Sequence, residues 1–360
     1  MPINKSKRTF IIAEIGTSHG GDLEKAKKLI RAAKDAGADC AKFQVVFAQE
    51  IIHKNTGLVK LPGGDTPLYS VFKSLEMDEP FYKQLKDMTE SEGLIFMASP
   101  FGKKSGDILN NIGSKIFKVA SPELNHFPLL KQLKSFNKPL ILSSGVSKLR
   151  DIERALEITG RDRVSLLHCI TSYPAPENEY NLKLISNLKN IFGIETGISD
   201  HSLDPVLVPS ISVLLGASIV EKHLTLSNET DGLDDPVALN PQNFKQMCDS
   251  IRKYEDMDLK SGLDKLSKIY GLERVTSILG DGVKKLAKSE ESNYNRTNRS
   301  LHSLEQLNRG DVITKENTAL LRTEKILRVG LSPHLVENFY GRKLTKDVPS
   351  GEGIRLEDFL

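Results

Sequence analysis

Cysteine is scarce: Cys40, Cys169 and Cys248 are the three in 360 residues. An odd, sparse set in a chain of this length does not make a disulfide framework, so a reducing compartment, the cytoplasm, is expected. An excess of one charge sign is also missing. With 50 basic and 47 acidic residues, the formal net charge is +3. That excludes a nucleic-acid-binding surface spread over the whole molecule and leaves room for a local basic pocket. No stretch of about eighteen apolar residues occurs, so no membrane span is expected. The opening MPINKSKRTFIIAEIG has no apolar core of signal-peptide length.

What is present is a repeated short apolar run followed by a helical segment. The runs are FIIAEI (10–15), CAKFQVV (40–46), LIFMAS (94–99), IFKVAS (116–121), PLILSSG (139–145), VSLLHCI (164–170), IETGIS (194–199) and SIVEKHLTL (218–226). Strands buried on both faces read as near-continuous apolar runs. Between them, DLEKAKKLIRAAKDAGA (22–38) sets Leu23, Ala26, Leu29 and Ala33 on one helical face, with Asp22 as N-terminal cap and Gly37 as stop. PFYKQLKDMTESEG (80–93) begins with a first-turn proline, and later crossovers follow, Pro209 weakening the last. Eight strand–helix alternations predict an α/β fold, a (β/α)8 TIM barrel over residues 1–280. Residues 281–300 are polar, lack an apolar stripe and read as a linker. Residues 301–360 predict a small mostly-β domain. Two insertions, 47–79 and 227–241, follow strands and are expected to shape the barrel mouth.

In a parallel barrel the site sits where the strands end. Polar residues recur there: Glu14, Thr17, Ser18 and His19; Lys42 and Gln44; Ser99; Lys118, Ser121 and Glu123; Ser143 and Ser144; His168, Thr171, Ser172 and Tyr173; Ser199, Asp200 and His201; Glu221, Lys222 and His223. Polar groups within apolar strands are costly to bury without partners, and their recurrence at one end of every strand points to a site. Two lysines with several hydroxyls suit an anion, a phosphate or carboxylate, although either lysine alone can snorkel to solvent. His201 and His223 end neighbouring strands. They suit a shared metal ion, for which manganese, zinc, iron and cobalt all qualify; each also suits a hydrogen-bonded core position. Asp231, Asp234 and Asp235 suit a polyol or, equally, a solvated turn.

The segments AEIGTSHGGDLEKAKKLIRAAKDAGADCAKFQ, ASPF, FKVASPELN, PLILSSG, LLHCITSYPAP, GISDHS and VEKHLTL, with the tail NRSLHSLEQLNRGDVITKEN through GRKLTKDVPSGEGI, resemble the sialic acid (nonulosonate) synthase family, tail included as its antifreeze-like SAF domain. The resemblance implies an enzyme that condenses phosphoenolpyruvate with an N-acyl hexosamine, typically N-acetylmannosamine, and water, releasing phosphate and a nine-carbon 2-keto acid. It implies a divalent metal, Mn2+ or Mg2+, on His201 and His223. It places Lys42, Ser99, Lys118, Ser121, Ser143, Thr171 and Ser199 on phosphoenolpyruvate, and Gln44, Glu123, Tyr173, Asp234 and Arg322 on the sugar. Glu14, Glu123 and Lys42 are the implied catalytic residues. It further implies a domain-swapped homodimer in which each C-terminal domain caps the partner's barrel.

Three departures lie on the sugar side. ALLRTEKILRVGLSP replaces the family's Arg-Pro-Gly step, which leaves Arg322 and Arg328 both open as the arginine that reaches the sugar. DGLDDPVALNP replaces Gly-Pro-Asp-His, and Thr171 stands where some members have asparagine. His168 is closer to neuraminate- and legionaminate-type members than to pseudaminate-type ones, so acceptors with a second acetamido group stay open. A 3-deoxy-octulosonate 8-phosphate synthase-like enzyme is disfavoured by the linker and C-terminal domain, and a non-catalytic sugar-binding relative by the intact Glu14, Lys42, Lys118, His201 and His223.

Overall fold

The computed structural model describes residues 8–61, 64–229 and 232–360. All eight apolar runs are strands: β1 Phe10–Gly16, β2 Cys40–Val45, β3 Ile95–Pro100, β4 Phe117–Val119, β5 Leu140–Ser143, β6 Val164–Cys169, β7 Glu195–Asp200 and β8 Ile219–His223. Neighbours pair in parallel, and β1 pairs with both β2 and β8, closing the barrel. A helix follows each strand: α1 Leu23–Ala36, α2 Glu79–Ser91, α3 Lys103–Asn111, α4 Phe127–Ser135, α5 Leu149–Thr159, α6 Leu184–Phe192, α7 Leu207–Leu214 and α8 Pro241–Tyr254. The Asp22 side chain accepts from the Glu24 and Lys25 amides, and Gly37, at φ 95°, ends α1 in the left-handed region open to glycine. Pro209 costs α7 nothing in hydrogen bonds, because it is the third residue of the helix, where the amide has no intrahelical partner.

Alternation within the strands positions the site, since successive side chains point to opposite faces. One parity faces the helices. Ile11, Ala13, Ala41, Phe43, Phe96, Ala98, Phe117, Leu142, Leu166, Ile198 and Val220 join the large core between sheet and helices. The other parity faces the barrel axis. There Phe10, Ile12, Cys40, Met97, Ile116, Ile141, Leu167 and Ile219 form a separate apolar plug. Two residues further along six of the strands the same face turns polar: Glu14, Lys42, Ser99, Lys118, Ser143 and Glu221. The lower half of the barrel is thus oil and the upper half charge.

After α8, two further helices, Leu259–Tyr270 and Leu272–Leu279, lead into residues 281–300, which lie across the barrel mouth. This polar segment is fastened by side chains. Glu290 is fully buried and accepts from the Val146 and Thr171 amides, both at 2.7 Å. Lys284 donates to the Ser144 carbonyl at 3.1 Å, and Asn293 to the Thr171 carbonyl at 3.3 Å. The C-terminal domain has one antiparallel pair, β9 Ser300–Ser303 with β10 Thr318–Leu321. Turns and isolated bridges enclose a small core that includes Leu301, Leu307, Ile313, Phe339, Val348 and Ile354. In this single chain the domain closes on its own barrel, the Arg322 amide donating to the Ile51 carbonyl at 2.9 Å. No helix among the described residues is long and apolar enough to cross a membrane.

Candidate active site

The polar upper half of the barrel, the 47–79 insertion and the C-terminal domain enclose a cavity of about 820 Å³. Glu14, Lys42, Gln44, Ser99, Lys118, Ser121, Ser143, Thr171, Tyr173, Ser199, His201, His223, Asp234 and Arg322 all line it. At its base Lys42 Nζ lies 3.0 Å from Glu14 Oε2 and 3.4 Å from Glu221 Oε2. Lys118 Nζ donates to Ser143 Oγ at 2.6 Å and lies 3.5 Å from Glu221 Oε1, which also accepts from Ser199 Oγ at 2.9 Å. Glu14 Oε1 accepts from Gln44 Nε2 at 2.8 Å.

Burying these charges is tolerable because each has an opposite neighbour. Burial works against the Lys42 charge, but Glu14 and Glu221 outweigh it and hold its pKa above the ordinary lysine value. Lys118 is pushed below that value by burial, which Glu221 only partly offsets. Burial also opposes the charge of Glu221, yet Lys118 and Lys42 pull it down to about 2. Its place between both lysines gives Glu221 a part in the site that sequence reasoning, which placed it at a strand end, left without a role. The signal was available: from Ile219 the inward parity runs to Glu221 and His223. Gly145 leaves space beside this base, since a Cβ there would stand 2.1 Å from Thr171 Oγ1.

The two histidines stand at one side, ring centroids 5.5 Å apart, with the Tyr173 ring 4.2 Å from His201. His201 Nδ1 lies 2.7 Å from the Ile170 carbonyl. That contact requires a proton on Nδ1 and leaves Nε2 as the atom able to bind a cation, the tautomer control usual for metal-binding imidazoles. Behind it, Tyr180 Oη accepts from the His201 amide at 2.8 Å and donates to Asp200 at 2.6 Å, which Lys222 neutralises at 2.6 Å. His223 Nδ1 is 3.7 Å from Asp234 Oδ2. No group of three His, Cys, Asp or Glu gathers among the described residues. His201 and His223 are the residues that would hold a divalent cation here, with oxygens of water or substrate needed to complete its shell.

Four expectations change. Glu123 does not line the cavity: it is fully buried, Oε2 paired with Arg299 Nε at 2.6 Å and Oε1 with Arg322 Nε at 3.1 Å. It aims Arg322 rather than facing the reacting atoms. Arg328 is spent on Asp358 at 2.6 Å, which leaves Arg322 as the arginine of the cavity. Within the acidic turn, Asp234 lines the cavity while the buried Asp235 accepts from Ser18 Oγ at 2.5 Å; Asp231 lies outside the described residues. His168 is on the outward parity, its Nε2 2.5 Å from the Tyr180 carbonyl, so its identity is not read by contact in the cavity.

A closed (β/α)8 barrel with paired lysines and carboxylates at its base and two imidazoles at the rim has the make-up of a barrel enzyme's site. The chain belongs to the NeuB family, whose sequence pattern matches residues 29–261, and it is an enzyme of the acid-synthase class. It is 36% identical over 97% of its length, and 99% of the relative's, to the N,N'-diacetyllegionaminic acid synthase of Campylobacter jejuni serotype O:2. It is 31% identical over 99% of its length, and 98% of the relative's, to a pseudaminic acid synthase of C. jejuni serotype O:23/36. The crystal structure of the spore coat polysaccharide biosynthesis protein SpsE of Bacillus subtilis superposes with a TM-score of 0.81 at 32% identity, covering 98% of this chain and 95% of that one.

Proposed function

We propose that this protein condenses phosphoenolpyruvate with an N-acyl hexosamine and water, releasing phosphate and a nine-carbon 2-keto acid. The observation that carries this reading is the base of the cavity, where Lys42 and Lys118 converge among Ser99, Ser143 and Ser199. A small dianion with a carboxylate is the ligand such a base fits. The lysines and serines hold donor phosphate and carboxylate, so that carbon 3 of the enol faces the sugar aldehyde; this is positioning. Attack forms the carbon–carbon bond and leaves positive charge at carbon 2, to which water adds before phosphate departs. Glu14 orients or deprotonates that water. A divalent cation on His201 and His223 would supply polarisation of the aldehyde oxygen.

N-acetylmannosamine is one candidate acceptor. The outer wall favours a 2,4-diacetamido-2,4,6-trideoxyhexose: Leu58, Val59, Phe72, Leu233 and Ile326 line it, surfaces that suit a C6 methyl and two acetamido methyls better than hydroxyls. The first relative's name, a diacetyl sugar-acid synthase, points the same way. The test is phosphate release from phosphoenolpyruvate with Mn2+ against both sugars and mannose. Release is expected with the acetamido sugars, fastest with the diacetamido one, and should stop with chelator and return with Mn2+. No release with any sugar overturns the reading.

A homodimer with exchanged caps belongs to the same reading, the cap contacts then forming between chains. Mixing an Arg322→Ala chain with a Lys118→Ala chain under exchange conditions should restore activity to a fraction of the sites. Continued inactivity means that each cap serves its own barrel.

A further inference from the structure

The cap enters the cavity through a turn at Thr323–Ile326 that holds two consecutive non-glycine residues in the left-handed region, Glu324 at φ 47° and Lys325 at φ 65°. Such backbone is costly for side-chain-bearing residues and persists where the surroundings enforce it. Here the Thr323 amide and hydroxyl both donate to the Arg296 carbonyl, and the Lys325 amide donates to Thr323 Oγ1 at 3.2 Å. The conformation sets the Glu324 carboxylate in the cavity wall beside Arg322 with its side chain only 11% exposed. Arg322 spends Nε and Nη2 on Glu123, while its Nη1 stands 3.8 Å from Glu324 Oε1, beyond hydrogen-bond length. A guanidinium N–H and a carboxylate oxygen are therefore side by side, each retaining capacity toward a ligand. Adjacent substituents on a sugar carbon chain present their heteroatoms at about that spacing.

Resting on the synthase reading above, we propose that Arg322 and Glu324 act as a pair and that Glu324 is an acceptor-specificity residue: Arg322 Nη1 donates to the carbonyl of the sugar's acylamino group, and the Glu324 carboxylate accepts a hydrogen bond from the hydroxyl vicinal to it. The ligand class is an N-acyl amino sugar with a free hydroxyl on the neighbouring carbon, a feature common to N-acetylmannosamine and the 2,4-diacetamido sugar. Lys325 stays out of this contact, its Nζ turned to Ser292 Oγ at 3.4 Å.

The test compares the accepted sugar with its 3-deoxy analogue in wild type, Glu324→Gln and Glu324→Ala. Glu324→Ala should raise the KM for the parent sugar by about tenfold or more, as loss of a bond to a charged group does. The KM for phosphoenolpyruvate should stay unchanged. Wild type should prefer the parent over the 3-deoxy sugar, and Glu324→Ala should erase that preference. Glu324→Gln, which keeps an acceptor oxygen, should restore part of it. Equal loss for both sugars would mean that Glu324 merely props Arg322, and would overturn the proposal. Absence of phosphate release by wild type with any sugar would instead overturn the synthase reading.

Discussion

At the scale of single residues the site depends on carboxylates that differ in surroundings and so in task. Glu14 faces the cavity and touches Lys42 and Gln44; Glu123 faces two guanidiniums and no cavity. Glu14→Gln is expected to lower kcat by about 10²-fold or more, the usual loss for a general base, with phosphoenolpyruvate affinity retained in calorimetry. Unchanged turnover would remove Glu14 from the chemistry. Glu123→Ala should leave Arg299 buried and uncompensated, destabilising the fold by about 3–5 kcal/mol in denaturant titrations. Sequence reading recovered the cavity-facing residues because strand ends are local. It misjudged Glu123 because its partners lie 176 and 199 residues away, and nothing in local pattern reports such a pairing.

At the scale of elements, the eight strands were legible because each is a short apolar run, and α1 because its cap, stripe and stop all agree. Parity within the strands was equally legible, and it separates Glu221 from Lys222 without reference to structure. The segment 281–300 was not, because a strap held by side chains on backbone amides leaves no apolar period. Glu290→Ala is expected to strand the buried Val146 amide at about 1–3 kcal/mol and to leave the partly buried Thr171 amide without its partner. It should raise the KM for phosphoenolpyruvate more than that for the sugar, since both loops adjoin the base of the cavity; the reverse split would show that the strap serves the cap alone.

At the scale of the whole molecule, Arg299 at the end of the strap and Arg322 of the C-terminal domain bring their charges into the barrel, and their ion pairs with Glu123 join them to it. Burial opposes the Glu123 charge, but Arg299 and Arg322 win and hold its pKa below the ordinary 4.5. A carboxylate depressed in the folded state contributes stability above its unfolded pKa and loses it as pH falls through the folded one. Cap protection should therefore be full near pH 7 and decline as pH falls below about 4.5 toward the lower folded-state value. Hydrogen exchange of residues 300–323 across that range checks it, and Glu123→Gln should show weak protection at neutral pH already.

The lysines sit inside the barrel and Arg322 and Glu324 line the same cavity from the cap, so in the proposed reaction the two ligands would occupy one shaft at different depths. A shaft of that kind imposes a sequence of events. A sugar that arrives first obstructs the way to the lysines, whereas phosphoenolpyruvate that arrives first leaves the sugar's place open. Initial rates should follow ordered addition with the donor leading, and excess sugar should inhibit at low donor concentration.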